Sequence, residues 1–341
     1  MVMNVDDPDL FRARIAVVGV GGMGSNLVNR VTNMDLKTAD TIAINTDAKH
    51  LSIIKASKKV LIGKDITRGL GAGGFPEVAE KAAEISQREI EEALKDYNLV
   101  FIAYGAGGGT GGGAAPIVAR IAKEQGATVI GFVTYPFRLE KVRTKNADAS
   151  ISKFVKNADA TIIIENERLL QYAPNLPFER ALEAVDILVA TSIKGISDTI
   201  NLPSLMSIDY SDLAAIVKDS GIAMINVGYG SGDFKVEAAI KSTIAHPLLS
   251  ADYSDSRGAI VHISGGPSLT ISDATRIGEE VTAGLKQNAN VIFGARIVPE
   301  MQDQIKVTAI ITNVKPKIGE FSYTESTKKN TSDRLNDIEV I

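Results

Sequence analysis

The stretch Gly105-Ala106-Gly107-Gly108-Gly109-Thr110-Gly111-Gly112-Gly113-Ala114-Ala115 decides how this chain folds. It lies between an apolar, strand-like segment, residues 99–103, and a helix-like segment, residues 117–122. Glycine loses more conformational entropy on folding than other residues, so a run of this length in an ordered domain needs a physical reason. We expect a large anionic ligand whose oxygens contact backbone N–H groups directly and face the positive end of the following helix.

The composition is that of an ordinary globular protein. The 341 residues suffice for one large domain or two average ones, and 45% of them are hydrophobic and 23% charged. The net charge of −4, with both signs interspersed, argues against a nucleic-acid partner. There is no cysteine, which excludes disulfides and thiolate chemistry, and the three histidines, His50, His246 and His262, suggest packing or surface positions rather than a metal site.

We expect a cytoplasmic protein with no direct membrane insertion. The first residues show no signal-peptide pattern. No apolar run approaches the ~20 residues that a membrane-spanning helix needs.

Alternating apolar and helical segments in the first half predict a parallel α/β sheet. The expected strands there are residues 14–20, 41–45, 99–103, 128–134 and 161–164, and the expected helices are residues 25–31 and 76–94. Residues 179–200 predict one long helix that joins two halves, because apolar residues recur at helical spacing without an internal proline. The second half predicts helices over 209–218, 234–244 and 271–287 and strands over 223–228, 259–264, 291–297 and 305–312. From residue 315 onward the chain is polar and reads as a flexible tail with an apolar-acidic end, residues 337–341.

Two further glycine-rich loops indicate different types of nucleotide ligand. Gly19-Val20-Gly21-Gly22-Met23-Gly24 matches the dinucleotide pattern G-x-G-x-x-G, and Asp47 follows at the distance of a ribose-binding acid, so this window alone suggests an NAD-dependent oxidoreductase. The loop Thr67-Arg68-Gly69-Leu70-Gly71-Ala72-Gly73-Gly74-Phe75-Pro76 and the run from Gly105 favour a nucleoside triphosphate instead, because three phosphates need more N–H donors than one loop supplies. No Gly-Lys-Ser/Thr pattern is present, which excludes an ordinary P-loop enzyme.

From Gly107 to Gly113 the chain resembles the tubulin signature, and the surrounding sequence is similar to FtsZ, the prokaryotic family of tubulin-like division GTPases. The resemblance runs from about residue 15 to residue 314, and the lack of tryptophan and cysteine is closer to archaeal members. The stretches that carry it are Val17–Gly22, Ala43–Ala48, Thr67–Gly73, Lys194–Asp198, Ser207–Asp212 and His246–Leu249.

The resemblance implies a tubulin/FtsZ-like α/β fold. Its parts would be a Rossmann-like, parallel-sheet GTPase domain (1–178), a central helix and connector (179–204), a second α/β domain (205–314) and a tail (315–341). The ligands would be GTP and GDP, with Mg²⁺ held through phosphates and water rather than by side chains. Copies of the chain would stack head to tail, and the tail would dock division-machinery or membrane-anchor proteins at mid-cell.

The family's GTP-binding residues carry over onto matching positions of this sequence. They are Gly21, Gly22, Met23, Gly24, Ser25 and Asn26 in the first loop, Ala72 and Gly73 in the second, and Gly107, Gly108, Gly109, Thr110, Gly111 and Gly112 in the longest. The ribose contacts carry over to Glu140 and Arg143, and the base contacts to Asn166 and Asp186. A carboxylate accepts hydrogen bonds from guanine N1–H and N2–H₂ together, whereas adenine offers no such pair of donors.

Asp209 and Asp212 are the candidate catalytic residues. They stand three residues apart at the expected start of a helix, where two acids are by themselves typical of helix capping. In the family this segment enters the neighbouring subunit's nucleotide site, and its acids position and polarise the attacking water. The resemblance therefore implies GTP hydrolysis that is activated by polymerisation.

Four positions depart from the family pattern. Gly112 lacks a hydroxyl, Ser207 lacks an amide, Leu182 replaces an aromatic residue at the base, and the glycine usually found after Glu140 is absent, which leaves the place of Arg143 open. The alternatives are a GTP-bound scaffold that does not hydrolyse, a diverged paralogue in cell-shape control and, more remotely, the NAD-dependent oxidoreductase.

Overall fold

Parallel strands form the first half of the fold, and all of them except the strand over residues 58–61 coincide with predicted apolar runs. The computed structural model describes residues 12–317 except 169–174, 176, 203–204, 207 and 246–247. The strands of the first half are β1 (Ile15–Val20), β2 (Asp40–Asn45), β3 (Lys58–Leu61), β4 (Leu99–Gly105), β5 (Thr128–Tyr135) and β6 (Ala160–Glu165). They lie in the order β3-β2-β1-β4-β5-β6, and all neighbouring pairs are parallel.

Helices cover both faces of this sheet. Those of the first half are α1 (Gly21–Asn33), α2 (Ala48–Ile53), α3 (Lys64–Thr67), α4 (Pro76–Ile85), α5 (Gln87–Ala93), α6 (Gly109–Glu124) and α7 (Lys141–Asn157), followed by the long helix α8 (Phe178–Asn201). Successive β1 residues divide between two apolar clusters. Val17 belongs to the cluster with α1 and α8, and Val18 to the cluster with α4, α6 and α7. The alternation expected of a strand covered on both faces is therefore present.

The second half extends the same sheet. Its helices are α9 (Tyr210–Val217), α10 (Lys235–Ala245) and α11 (Ile271–Thr282), and its strands are β7 (Gly221–Ser231), β8 (Ala251–Asp252), β9 (Gly258–Gly265), β10 (Asn290–Ile297), β11 (Gln304–Thr312) and β12 (Lys315–Pro316). β7 pairs in parallel with β6 through residues 160–162 and 221–223. β11 is antiparallel to both β7 and β9, and β10 is parallel to β9. The described strands thus form one ten-stranded sheet and the separate pair β8–β12.

The helices differ from expectation in number and in their ends, because α2, α3 and α7 are not among the predicted segments. α1 begins at Gly21 rather than residue 25, and α6 begins at Gly109, well before the expected residue 117. The expected helix over 76–94 breaks at Ser86, whose hydroxyl accepts a hydrogen bond from Gly63 N (3.0 Å). α11 ends at Thr282 rather than at residue 287.

The expected start of the tail is also corrected. Lys315 and Pro316 pair with Asp252 and Ala251, and the Lys315 ammonium contacts Asp255 (2.8 Å), so ordered structure continues past residue 314. Residues 318–341 lie outside the described part of the chain. In the part of the chain that the structure describes, no helix is both long and apolar enough to cross a lipid bilayer.

Candidate nucleotide site

A cavity of about 740 Å³ opens at the carboxyl ends of the parallel strands. This is the edge of a parallel α/β sheet at which ligands bind. The lining residues are Val20, Gly22, Met23, Asn26, Gly74, Gly105, Gly107, Gly108, Gly109, Thr110, Gly111, Thr134, Pro136, Phe137, Leu139, Glu140, Arg143, Asn166, Leu182, Val185 and Asp186. Most of the residues proposed from the sequence are therefore brought together around one cavity.

Two helix N-termini face this cavity. The first turn of α1 contributes Gly22 and Met23, and the first turn of α6 contributes Gly109 to Gly111. Neither helix has a side-chain hydrogen bond at its N-cap, which is Val20 in α1 and Gly108 in α6. The first-turn N–H groups of a helix lack intrahelical partners and carry its positive dipole end, so this wall suits an anion.

Glycine lets the two N-termini lie side by side. Gly21 has a φ of +74°, and a Cβ there would lie only 2.7 Å from Gly111 N. On the same side, the hydroxyls of Thr46 and Thr110 are hydrogen-bonded at 2.7 Å, which ties the end of β2 to the start of α6. The first and longest glycine loops thus form one continuous surface.

The loop over residues 67–76 reaches the cavity through a different residue than expected. Ala72 is buried in the apolar core and Gly73 is exposed, and neither is among the lining residues. Gly74 lines the cavity instead. The loop is held against the residues that follow β2 by hydrogen bonds from Gly71 N to Thr46 O (3.2 Å) and from Ala48 N to Gly69 O (2.9 Å).

Four other predicted contacts also lie behind the cavity wall. Gly21, Gly24, Ser25 and Gly112 are buried and are not lining residues. Gly112 N donates to Gly108 O (3.0 Å), and a Cβ at Gly112 would lie 2.7 Å from Ala106 O. A side chain at position 112 would therefore meet the protein backbone first, so the hydroxyl that Gly112 lacks would not be directed at the phosphates.

The proposed ribose and base residues line the same cavity. Arg143 lines the cavity despite the missing glycine after Glu140, and its guanidinium donates to the Glu140 carboxylate (2.6 Å). Asn166 and Asp186 line the cavity beside Leu182, which stands at the position of the family's aromatic residue. Both predicted pairs therefore line the same cavity as the glycine loops.

Asp186 has an unusual acidity in this site. Burial raises the pKa of its carboxyl to about 6, against the opposing pull of the Arg30 guanidinium, and the nearby Glu183 adds to the rise. A desolvated carboxylate gains from a ligand that supplies two N–H donors. Guanine supplies such donors.

Asp209 and Asp212 lie at the other end of the sheet. Asp209 is the N-cap of α9 but its side chain makes no capping hydrogen bond, and both acids are exposed and absent from the cavity lining. The hydroxyl of the intervening Tyr210 contacts Asn98 O and the Thr128 hydroxyl, each at 2.9 Å. Those residues precede or begin β4 and β5, whereas the cavity lies where the two strands end.

The length of the strands sets the separation between acids and cavity. β4 has seven residues, which corresponds to about 20 Å. The two acids of one chain therefore do not reach the cavity of the same chain.

Asp47 does not act as the dinucleotide alternative requires. It is the N-cap of α2, and its carboxylate accepts from His50 N (2.9 Å) instead of lining the cavity. His262 is buried, which lowers its pKa to about 4, as expected for a packing residue. Ser207 and His246 lie outside the described residues. Among the residues that are described, no group of three or more His, Cys, Asp or Glu is arranged to hold a metal ion.

The sequence reasoning missed the residues that follow β5. Pro136, Phe137 and Leu139 line the cavity, and so does Gly105 at the end of β4. Their position directly after parallel strands was the available signal, because ligands bind beyond the carboxyl ends of such strands.

Comparison with known proteins agrees with this geometry. Residues 14–174 match the model of the Tubulin/FtsZ family, GTPase domain, and residues 221–315 match that of the FtsZ family, C-terminal domain. Cell division protein FtsZ 2 of Methanocaldococcus jannaschii is 50% identical over 89% of this chain and 80% of its own length. Cell division protein FtsZ 1 of Pyrococcus furiosus is 41% identical over 96% of this chain and 88% of its own length.

Solved structures give the same result. The empty FtsZ dimer of M. jannaschii has a TM-score of 0.86 at 36% identity, covering 94% of this chain and 99% of its own. A GTPγS-bound protofilament of CetZ2 from Haloferax volcanii has a TM-score of 0.76 at 22% identity, covering 89% and 93%, which shows a shared fold.

Proposed function

Because the chain belongs to the FtsZ family of tubulin-like cell-division GTPases, we propose that it hydrolyses GTP between two copies of itself, with Asp209 and Asp212 of one copy acting on the nucleotide of the next. The protein is a GTP-dependent, self-assembling GTPase, and it binds guanine nucleotides.

The separation of acids and cavity along the strands carries this proposal. The two exposed acids lie beside the start of β4, and the cavity lies at its end, about 20 Å away. Head-to-tail stacking along the strand direction would bring the acid end of one copy to the cavity end of the next. This contact is heterologous and extends into a filament when the rotation between copies does not close.

The proposed chemistry divides between the two surfaces. First-turn N–H groups of α1 and α6 bind the phosphate oxygens and stabilise the charge that develops during phosphoryl transfer. Asp209 and Asp212 from the next copy orient and polarise the attacking water, which lowers the entropic part of the barrier. Neither group alone forms a complete active site.

We propose Mg²⁺ as the cofactor, bound through the phosphates and water. The lining supports this, because the carboxylates among its described residues, Glu140 and Asp186, are the ones that we propose for the ribose and the base. When bound, Mg²⁺ neutralises charge on the phosphate oxygens.

Gly112 and Ser207 are the two residues that suggest a GTP-bound scaffold without hydrolysis. Gly112 does not support this alternative, because it faces the backbone of Ala106 rather than the cavity. The paralogue alternative is unaffected, since a protein of cell-shape control could use the same site.

The acidity of Asp186 gives a pH-dependent affinity. The carboxyl accepts from two guanine donors only when deprotonated, so GTP affinity should fall as pH drops through about 6, by about tenfold between pH 8 and pH 5. Fluorescence titration with GTP at several pH values measures this. The phosphates also titrate in this range, so the control is Asp186→Asn, in which they are unchanged. Equal pH profiles in the two proteins would refute the assignment of Asp186 to the base.

We propose that residues 318–341 bind division-machinery or membrane-anchor proteins of the cytoplasm at mid-cell. The polar composition before the apolar-acidic end supports a tethered docking segment. Removing residues 318–341 should leave GTP turnover within twofold but disperse a fluorescently tagged protein from mid-cell. Retained mid-cell position after the deletion would contradict the proposal.

A further inference from the structure

His50 lies outside the cavity lining and contacts Asn26, which is a lining residue. It lies in the first turn of α2, and its imidazole bridges two amides, with Nδ1 3.2 Å from Asn45 Nδ2 and Nε2 3.1 Å from Asn26 Oδ1. Asn26 lines the cavity, whereas His50 does not. We infer that His50 is a positioning residue that holds the Asn26 side chain with its NH₂ group toward the nucleotide.

Asn45 fixes the direction of the hydrogen bonds. This side chain is buried, and its Oδ1 accepts from two backbone amides, Thr46 N (2.9 Å) and Asp47 N (3.3 Å). Those donors determine which end of the amide is oxygen, so the other end is the NH₂ group. Asn45 Nδ2 therefore donates both to Ser25 Oγ (3.5 Å) and to the imidazole.

The imidazole passes this direction on to Asn26. Because Asn45 Nδ2 is a donor, His50 Nδ1 must be the acceptor, and in a neutral imidazole the proton then resides on Nε2. Nε2–H donates to Asn26 Oδ1. With its oxygen engaged by His50, and with no partner for its NH₂ group among the described residues, Asn26 can offer both N–H donors to a ligand.

The consequence matches the proposed ligand. Phosphate and ribose oxygens of GTP accept hydrogen bonds, so a fixed Asn26 donor binds them without the cost of turning the amide. This step rests on the proposed function, because it requires GTP in the cavity. The tautomer of His50 does not depend on that assignment.

Nuclear magnetic resonance tests the tautomer directly. In nucleotide-free protein labelled with ¹⁵N-histidine, the ring-nitrogen shifts of His50 should report a proton on Nε2, with His50→Gln used to assign the signal. A proton on Nδ1 would overturn the inference. The result stands whether or not the protein binds GTP, so it separates this inference from the proposed function.

A double-mutant cycle tests the role. His50→Ala should weaken GTP binding by about 3- to 10-fold, the worth of one hydrogen bond, and leave the turnover rate at saturating GTP unchanged. In an Asn26→Ala background the same change should cost less than twofold. Lys49→Ala, an exposed neighbour on α2, is the matched control and should change neither quantity. Equal losses from His50→Ala in both backgrounds, or a reduced saturated rate, would show that His50 does not act through Asn26.

Discussion

Replacing Asp212 by alanine is expected to lower GTP turnover at least 100-fold while GTP affinity changes by less than twofold. The carboxylate lies far from the cavity of its own chain, so binding does not involve it. Its removal takes away a charged group that positions water in the neighbouring site, an effect of about 10²–10⁴ in rate. Phosphate release and fluorescence titration with GTP measure the two quantities.

The same variant should fold normally. Asp212 is exposed, and no side-chain hydrogen bond or ion pair of Asp212 is found among the described residues. Glu84→Ala removes an exposed acid of α4 and is the control for a general change of surface charge. Normal turnover by Asp212→Ala would mean that α9 does not supply the catalytic acid.

Gly21→Ala is expected to abolish nucleotide binding through the packing of two helix N-termini. Alanine at position 21 would have to adopt the left-handed backbone conformation of Gly21, at φ +74°. Its Cβ would lie 2.7 Å from Gly111 N. The backbone conformation and the overlap together should lower the free energy of unfolding by about 2–4 kcal/mol. The first turn of α6 must move, which should weaken GTP binding at least 100-fold.

Gly22→Ala is the matched control for stability. A Cβ at Gly22 meets no atom within 4 Å, so Gly22→Ala should not lower the free energy of unfolding. Denaturant unfolding without nucleotide compares the three proteins. Equal stability of Gly21→Ala and Gly22→Ala would show that the contact between the two loops does not constrain the site.

The sequence predicted β1, β2, β4, β5 and β6 well because each is a largely buried apolar run, and it missed β3, which begins with two exposed lysines. It predicted the starts of α1 and α6 poorly. Glycine is a weak helix former, so the pattern placed helices only where apolar periodicity begins. In the fold, those glycines are helical because the first turns pack against neighbouring backbone, as Gly109 does against Gly74, where a Cβ would lie 2.9 Å from the backbone. That packing is tertiary and leaves no local signal.

The sequence likewise identified some residues of the candidate site and missed others. Residues carried over from the family resemblance, such as Asn166 and Asp186, line the cavity, whereas Ala72 and Gly112 point elsewhere. Motif matching identifies loops but not which residue of a loop faces inward. The His50–Asn26 contact joins residues 24 positions apart, and the position of Asp212 depends on the length of the sheet. Neither the His50–Asn26 contact nor the position of Asp212 can be predicted without the three-dimensional structure.

Mixing two inactive proteins tests most directly whether the active site is shared between copies. Asp212→Ala binds GTP but supplies no complete acid pair, and Gly21→Ala keeps Asp209 and Asp212 but binds no GTP. Combined with GTP and Mg²⁺, they should release phosphate, because the acids of Gly21→Ala face the nucleotide of Asp212→Ala. Energy transfer between fluorescent labels on the two proteins shows whether they associate. The predicted result is that the mixture releases phosphate and neither variant does so by itself. A mixture that associates but stays inactive would contradict hydrolysis in trans.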